Sequence, residues 1–431
     1  MSNRTVGHPG LDRAAASAAR AAGSAARERQ LWWVAGELAR ALQHPDYPLG
    51  PEAAVEDLLE DLEATTAYLA LGAAGELRVR ATARKADKEI PDTTRMRRAV
   101  LGLLADAVGT EAQLPSKAPR QPSKVPVPPR PREMLRETLA DLQQRTGGGG
   151  TATRLRMLAI GGMVADTGAR AGELVDQALD DLHPGLRAAR VRRRPQGTTA
   201  DGHTRVDAVA LLRQSTAAVA AWLDERGRII NPDPGAGRRS GQSAPLQGSA
   251  TALWVSVHGN HGVIRDGEPM PRPAGTPLGE RGLAYAWRSA VAEANQLLAG
   301  EPGWTPLPGR MEQLRRGVDP VRFQDPRRPP RYPDAERAAQ LLDGLTDGAR
   351  RLAAALDQAD ADAPVRRCRR QVRTWLDDAW FEGIEHRSVL RALHAGGLHG
   401  PALAQAGWHP ALLRALDLAA RHGRTARNPD S

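Results

Sequence analysis

Two phenylalanines in 431 residues leave this chain little from which to build a sandwich or barrel core. Aromatic residues make up 3% of the whole, so the interior must come mostly from Ala, Leu and Val. Small side chains let helices approach closely, whereas strands favour β-branched and aromatic residues. The expectation is a mainly α protein with a small β-sheet.

The apolar positions agree. Leu31, Val34, Leu38 and Leu42 trace one helix face; Leu58, Leu59, Leu62 and Leu69 trace another, and Met96, Val100, Leu103 and Leu104 a third. Residues 29–111 therefore read as a helical domain. Residues 1–28 are small and basic and read as a disordered arm, or as a helix that forms only on a polyanion. Residues 112–133 are Pro-rich with interspersed cations, the composition of a semi-rigid extended linker. A second domain spans 134–333. It holds a helix over Leu155–Val164, short strands over Leu186–Val191 and Arg205–Leu212, a helix over Ala217–Arg226 and a strand candidate at Ala252–Val257. Helices follow over 278–299 and Met311–Val318. Residues 334–431 read as a helical extension broken at Pro401.

Net charge narrows the partners. The chain carries +10, almost all of it arginine, since lysine occurs only at Lys85, Lys88, Lys117 and Lys124. Such an excess attracts polyanions, nucleic acid first. The single cysteine, Cys368, excludes an intrachain disulfide and a Cys-rich zinc site. No run approaches the roughly 20 apolar residues of a membrane span, and the N-terminus lacks the apolar core of a signal peptide. A cytoplasmic protein without a membrane partner is expected.

Chemistry concentrates at two places. Thr167-Gly168-Ala169-Arg170-Ala171-Gly172-Glu173-Leu174 follows an apolar helix and fixes one arginine at a helix-to-helix turn. There Arg170 can grip a phosphodiester with two parallel hydrogen bonds, or simply pair with Glu173 or Asp181. The second place is Glu312-Gln313-Leu314-Arg315-Arg316. Earlier in the chain, Arg95, Arg97 and Arg98 fall in the first turns of a helix that Thr93 or Thr94 can cap. Cations there oppose the helix dipole, so they either await a bound phosphate or form a solvated face.

Together, the helical N-terminal domain, the Pro linker, the T-G-x-R-x-x-E-L sentence, a hairpin, the apolar run Leu253-Trp254-Val255-Ser256-Val257 and the second arginine motif resemble the tyrosine recombinase (phage integrase) superfamily. The resemblance spans about residues 30–320. It implies a helical core-binding-type domain that clamps duplex DNA and a recombinase catalytic-type domain. The chemistry implied is strand breakage and rejoining through a phosphotyrosine link, needing no metal and no cofactor. Two arginines would neutralise the non-bridging oxygens, here Arg170 and Arg315 with Glu173 and Arg316 in support. The DNA face would include Arg95, Arg97 and Arg98 and the hairpin cations Arg192, Arg193, Arg194 and Arg205.

This sequence departs from the family pattern in three ways. Glu312 and Arg316 stand where H-x-L-R-H has histidines. No lysine follows Lys124 to serve as the hairpin general acid, which leaves His203 or an arginine, and arginine keeps its proton near neutral pH. The sole tyrosine after Arg315 is Tyr332, in the loop sequence Pro-Pro-Arg-Tyr-Pro, so it reads as nucleophile or as loop anchor. Near the end, Ala406-Gly407-Trp408-His409-Pro410 reads as a loose match to a late family motif, as the turn of a helix-turn-helix whose Arg414, Arg421 and Arg424 meet phosphates, or as a plain helical hairpin with a solvated basic face. The functions expected are DNA binding for recombination or integration with cleavage impaired, and self-association on DNA. The alternatives are a non-catalytic DNA-binding or regulatory protein on the same fold, and an arginine-rich scaffold for other proteins.

Overall fold

The computed structural model describes residues 5–23, 25–77, 91–116, 127, 133–134, 137, 151–193, 205–231, 250–265, 268–316, 318–323, 334–358 and 362–425. They fall into two units, one within Met1–Ser123 and one within Lys124–Gln196 and His203–Ser431. Both are mainly helical, and the only strands among the described residues form two-stranded antiparallel pairs.

The first unit is built from α1 (Pro9–Arg20), α2 (Ala25–Ala41), α3 (Val55–Glu60), α4 (Leu62–Ala74) and α5 (Pro91–Val108). Local signals place the ends. The Asp61 carboxylate accepts the Glu63 and Ala64 N–H groups at the start of α4, and Gly75, at φ 85°, closes it in a left-handed turn. Helix α1 corrects the expectation of a disordered arm. His8 caps it, accepting the Leu11 N–H at 3.2 Å, with Pro9 in the first turn. Leu11, Ala14 and Ala15 are fully buried at helical spacing, and α1 packs on α2 and α5. An alanine stripe is weak as a hydrophobic signal yet permits close helix approach, which is why composition alone misreads this segment.

The second unit opens on α6 (Thr151–Thr167), packed lengthwise on α8 (Arg213–Ile230). Between them lie the short helix α7 (Ala171–Val175) and the hairpin of β1 (Ala188–Arg193) and β2 (Arg205–Ala210), in register from Ala188 opposite Ala210 to Arg193 opposite Arg205. Residues 321–323 lie along the free edge of β2. The Ala210 N–H donates to the Val321 carbonyl at 2.8 Å, and the Phe323 N–H to the Ala208 carbonyl at 3.0 Å. A second hairpin, β3 (Asn260–Arg265) with β4 (Glu268–Arg272), was not expected, although Asp266-Gly267 is a strong turn signal. The strand candidate Ala252–Val257 joins no sheet. It makes single bridges, Ala178 to Ala252 and Val255 to Pro277, and serves mainly to bury Leu253, Trp254 and Val255. Helices α9 (Glu280–Leu297) and α10 (Met311–Arg316) follow.

The C-terminal helices are α11 (Ala335–Asp357), α12 (Asp362–Phe381), α13 (His386–Ala395), α14 (Pro401–Ala406) and α15 (Pro410–Thr425). They are not an appendage, as the sequence suggested. Leu341, Leu345, Leu376, Leu393 and Leu412 belong to the same apolar core as Val164, Trp222 and Trp254. Helix α15 packs on α8 with Ala411, Leu412 and Ala415 buried; Arg414 is bonded to Asp224 at 2.6 Å and Arg421 to Asp417 at 2.7 Å. The linker expectation also needs adjustment. Gln113 is tied to Leu59 and Thr65 of the first unit, and Val127 is buried in the core of the second. No described helix is long and apolar enough to cross a membrane.

Candidate functional site: an arginine-lined cavity in the second unit

The arginine turn follows from its sequence residue by residue. Thr167 ends α6: its hydroxyl donates to the Met163 carbonyl at 2.5 Å and accepts the Ala169 N–H at 3.1 Å. Gly168 takes φ 62°, a left-handed conformation that costs glycine almost nothing. Arg170 is then the N-cap residue of α7, and the Glu173 carboxylate accepts its N–H at 2.9 Å. Glu173 is buried, whereas the Arg170 side chain keeps 31% of its surface exposed. The motif is thus a turn that carries one part-exposed arginine, whose Nη1 also lies 3.7 Å from the Glu173 carboxylate.

Strand alternation sorts the hairpin cations. Arg193 points back at the turn and spends its donors there. Its Nη1 bonds to Glu173 at 3.3 Å, its Nη2 to the Thr167 carbonyl at 2.7 Å and its Nε to Asp207 at 2.9 Å. Directly across the ladder, Arg205 donates from Nε to the other oxygen of Asp207 at 2.7 Å and leaves 60% of its side chain exposed. Arg192 faces the other way. It pairs with both oxygens of buried Asp181 at 2.9 and 3.0 Å, which removes it from the expected DNA face.

Helix α10 brings the second arginine. Met311 and Leu314 are buried and fix the helix on the core. Arg315 and Arg316 point outward and share Glu312: Arg315 Nε and Nη2 at 3.0 and 2.6 Å, Arg316 Nε at 3.1 Å. The bonds from Arg315, then Arg316, hold the Glu312 carboxyl below its ordinary range against some burial, so it is ionised at neutral pH.

These pieces border an open cavity of about 460 Å³, lined by Thr167, Gly168, Arg170, Glu173, Arg193, Arg205, Asp207, Arg315, Val318 and Pro320. Four guanidinium groups and two carboxylates line it, an excess of positive charge that favours an anion. Arg170, Arg315, Arg193, Arg205 and Glu173, all singled out in the sequence, meet here; Arg316 sits on the next position of α10 without lining it. Asp207 was missed. Its signal was its place two residues from Arg205 on the same strand face.

Arg97 is a further correction. It is 5% exposed and bonds both oxygens of buried Glu37 at 2.8 and 2.9 Å, beneath the Trp33 ring at 5.0 Å. The Tyr68 hydroxyl donates to the same carboxylate at 3.0 Å. A guanidinium so occupied is an internal tie of the first unit, not a DNA contact. On the same helix Arg95 is exposed and Arg98 half-buried. Arg194, His203 and Tyr332 lie outside the described residues. Among the described residues no group of three His, Cys, Asp or Glu side chains could hold a metal ion.

No family model matches the chain, and no curated protein does. Among solved structures it is similar to one described as "Crystal structure of XerA recombinase", at 12% identity, covering 91% of this chain and 96% of that one, with a TM-score of 0.25.

Proposed function

We propose that the cavity holds a backbone phosphate of duplex DNA, and that the chain is a DNA-binding protein of tyrosine-recombinase type. One observation carries this reading: Arg170 and Arg315, far apart in sequence and each in a recombinase-like motif, line the same cavity. Two guanidinium groups over one phosphodiester give both grip and neutralisation of charge that grows at phosphorus during attack. Exposed hairpin and helix cations, Arg205 and Arg95 among them, add non-specific attraction to the duplex.

In the cleaving form of this reading, the Tyr332 oxygen gives up its proton to water and attacks phosphorus, forming a 3′-phosphotyrosyl bond as the P–O5′ bond breaks and the 5′-oxygen leaves with a proton. His203 or an arginine must supply that proton, because no lysine follows Lys124. An arginine donor makes the step slow. The same sequence fact, with Glu312 and Arg316 at the histidine positions, favours a second form: a DNA-binding protein that does not cut.

Duplex binding titrated against salt tests the core of the proposal. Arg170→Ala and Arg315→Ala should each weaken binding and lower the salt slope by about one. Binding that ignores both substitutions, or shows no preference for duplex over other polyanions, rejects it in favour of a protein scaffold. A covalent protein–DNA adduct that vanishes in Tyr332→Phe selects the cleaving form; intact binding without an adduct selects the other.

A further inference from the structure

Arg315 lines the cavity and Glu312, one turn before it on α10, does not. A guanidinium offers two edges with paired, parallel donors. Glu312 takes the side edge of Arg315, Nε at 3.0 Å and Nη2 at 2.6 Å. The end edge, Nη1 with the second Nη2 hydrogen, is left over, and the Arg315 side chain makes no other hydrogen bond among the described residues. The backbone beneath is fixed as well. Met311 and Leu314 are buried, and the Gln313 carbonyl accepts the Val127 N–H at 3.2 Å. What would otherwise wander is the long arginine side chain, and the carboxylate behind it removes that freedom.

We infer that Glu312 is a positioning residue, a carboxylate behind the cavity that locks the side edge of Arg315 so that its end edge meets the phosphate. The inference rests on the phosphate-binding reading of the cavity. It makes the glutamate at this histidine-like position an asset in a site that binds anions. Simple Coulomb reasoning gives the opposite sign, because removing a negative charge near a bound phosphate should strengthen binding. The two accounts therefore separate by the direction of one measurement.

The experiment is a double-mutant cycle on the full chain, with duplex DNA affinity at fixed salt as the readout. Glutamine has one acceptor oxygen and a donor amide, so it cannot take the Nε and Nη2 edge together. Glu312→Gln should weaken duplex binding about threefold to tenfold in the otherwise native chain, and leave it unchanged or slightly stronger when Arg315→Ala is already present. Glu312→Asp, which keeps both oxygens, should recover part of the loss. Stronger binding on Glu312→Gln in the native background overturns the inference and makes Glu312 a competitor for Arg315. No change overturns it too. An equal loss in both backgrounds overturns it by assigning Glu312 a role in the helix alone, which the unfolding temperature would report. If Arg315→Ala by itself leaves duplex affinity intact, the phosphate-binding reading has failed and this inference falls with it; that single variant tells the two failures apart.

Discussion

Glu173 and Arg193 stand 20 residues apart in sequence and are joined at 3.3 Å, the carboxylate 3% exposed. That bond fastens the arginine turn to the hairpin, and Arg193 completes the fastening through Thr167 and Asp207. Arg193 is therefore a tie between two walls of the cavity, with little left to offer a ligand.

Arg193→Ala should destabilise the second unit by about 1.5–3 kcal/mol, because buried Glu173 then loses its shorter guanidinium contact, although Arg170 remains 3.7 Å away. Lysine should rescue only in part, since one ammonium cannot reach three acceptors in three directions. Urea unfolding measures this directly; a loss below about 0.5 kcal/mol, the size of an ordinary surface change, would show that the hairpin is not held this way.

Gly168 tests how the turn aims Arg170. An added Cβ would meet Val318 at 3.6 Å and Pro320 at 3.8 Å, ordinary contacts, so the expense of a side chain is backbone strain at φ 62°. Gly168→Ala should lose about 1–2 kcal/mol. Gly168→Asn should lose less, as asparagine tolerates the left-handed region. Duplex affinity should fall in the same order, because Arg170 lies two residues on. An alanine variant that unfolds like the native protein and binds like it would remove strain from the account.

Arg97 and Arg95 share a helix and should behave as opposites. Arg97→Ala leaves Glu37, 1% exposed, without its cation, at a loss of about 3–5 kcal/mol. Adding Glu37→Leu should recover much of that loss, because an apolar pair in place of a buried ion pair is often neutral. Arg95→Ala should change stability by less than about 0.5 kcal/mol and register only in DNA binding. Equal stability effects at the two positions would contradict the buried-pair description.

The sequence declared what is local and hid what is long-range. Helix periods, the Thr167–Glu173 turn and the 188–210 hairpin follow from near neighbours, and the structure has them within a few residues of expectation. Which arginines face a ligand depends on which carboxylate the fold delivers to each. Arg97 meets Glu37 from another helix and Arg192 meets Asp181 across a turn. In a chain whose arginines are this numerous, type and spacing cannot separate a phosphate contact from an internal tie. Strand parity does separate Arg192 from Arg193, because neighbours on a strand point to opposite faces. The fusion of residues 334–425 with the second core has no such local sign: amphipathic helices state that they have a buried face, without stating against what.

The C-terminal helices dock on that core partly through buried imidazoles, and acid should loosen them. His386 is 1% exposed; its ring Nε2 lies 2.8 Å from the Leu182 carbonyl and donates to it, its backbone N–H donates to Asp180 at 2.9 Å, and Trp408 packs edge-on against its ring. Burial, reinforced by Arg190 and His183 and opposed by Asp180, pushes its pKa down to about 4. His183, bonded to Asp377 at 2.9 Å beside Arg187, is shifted the same way by burial. The unfolded chain therefore binds protons that the folded chain refuses. The stabilisation is complete above the unfolded value of 6.5 and is lost as pH falls from there toward 4, on the order of 3 kcal/mol for His386. Unfolding followed between pH 7 and 5, before most carboxylates titrate, should show stability declining with acid. His386→Phe should flatten that decline, with the remainder due to His183, and should leave the cavity arginines untouched. If the native protein and His386→Phe lose stability in parallel over this range, the buried histidine is not what makes the docking acid-sensitive.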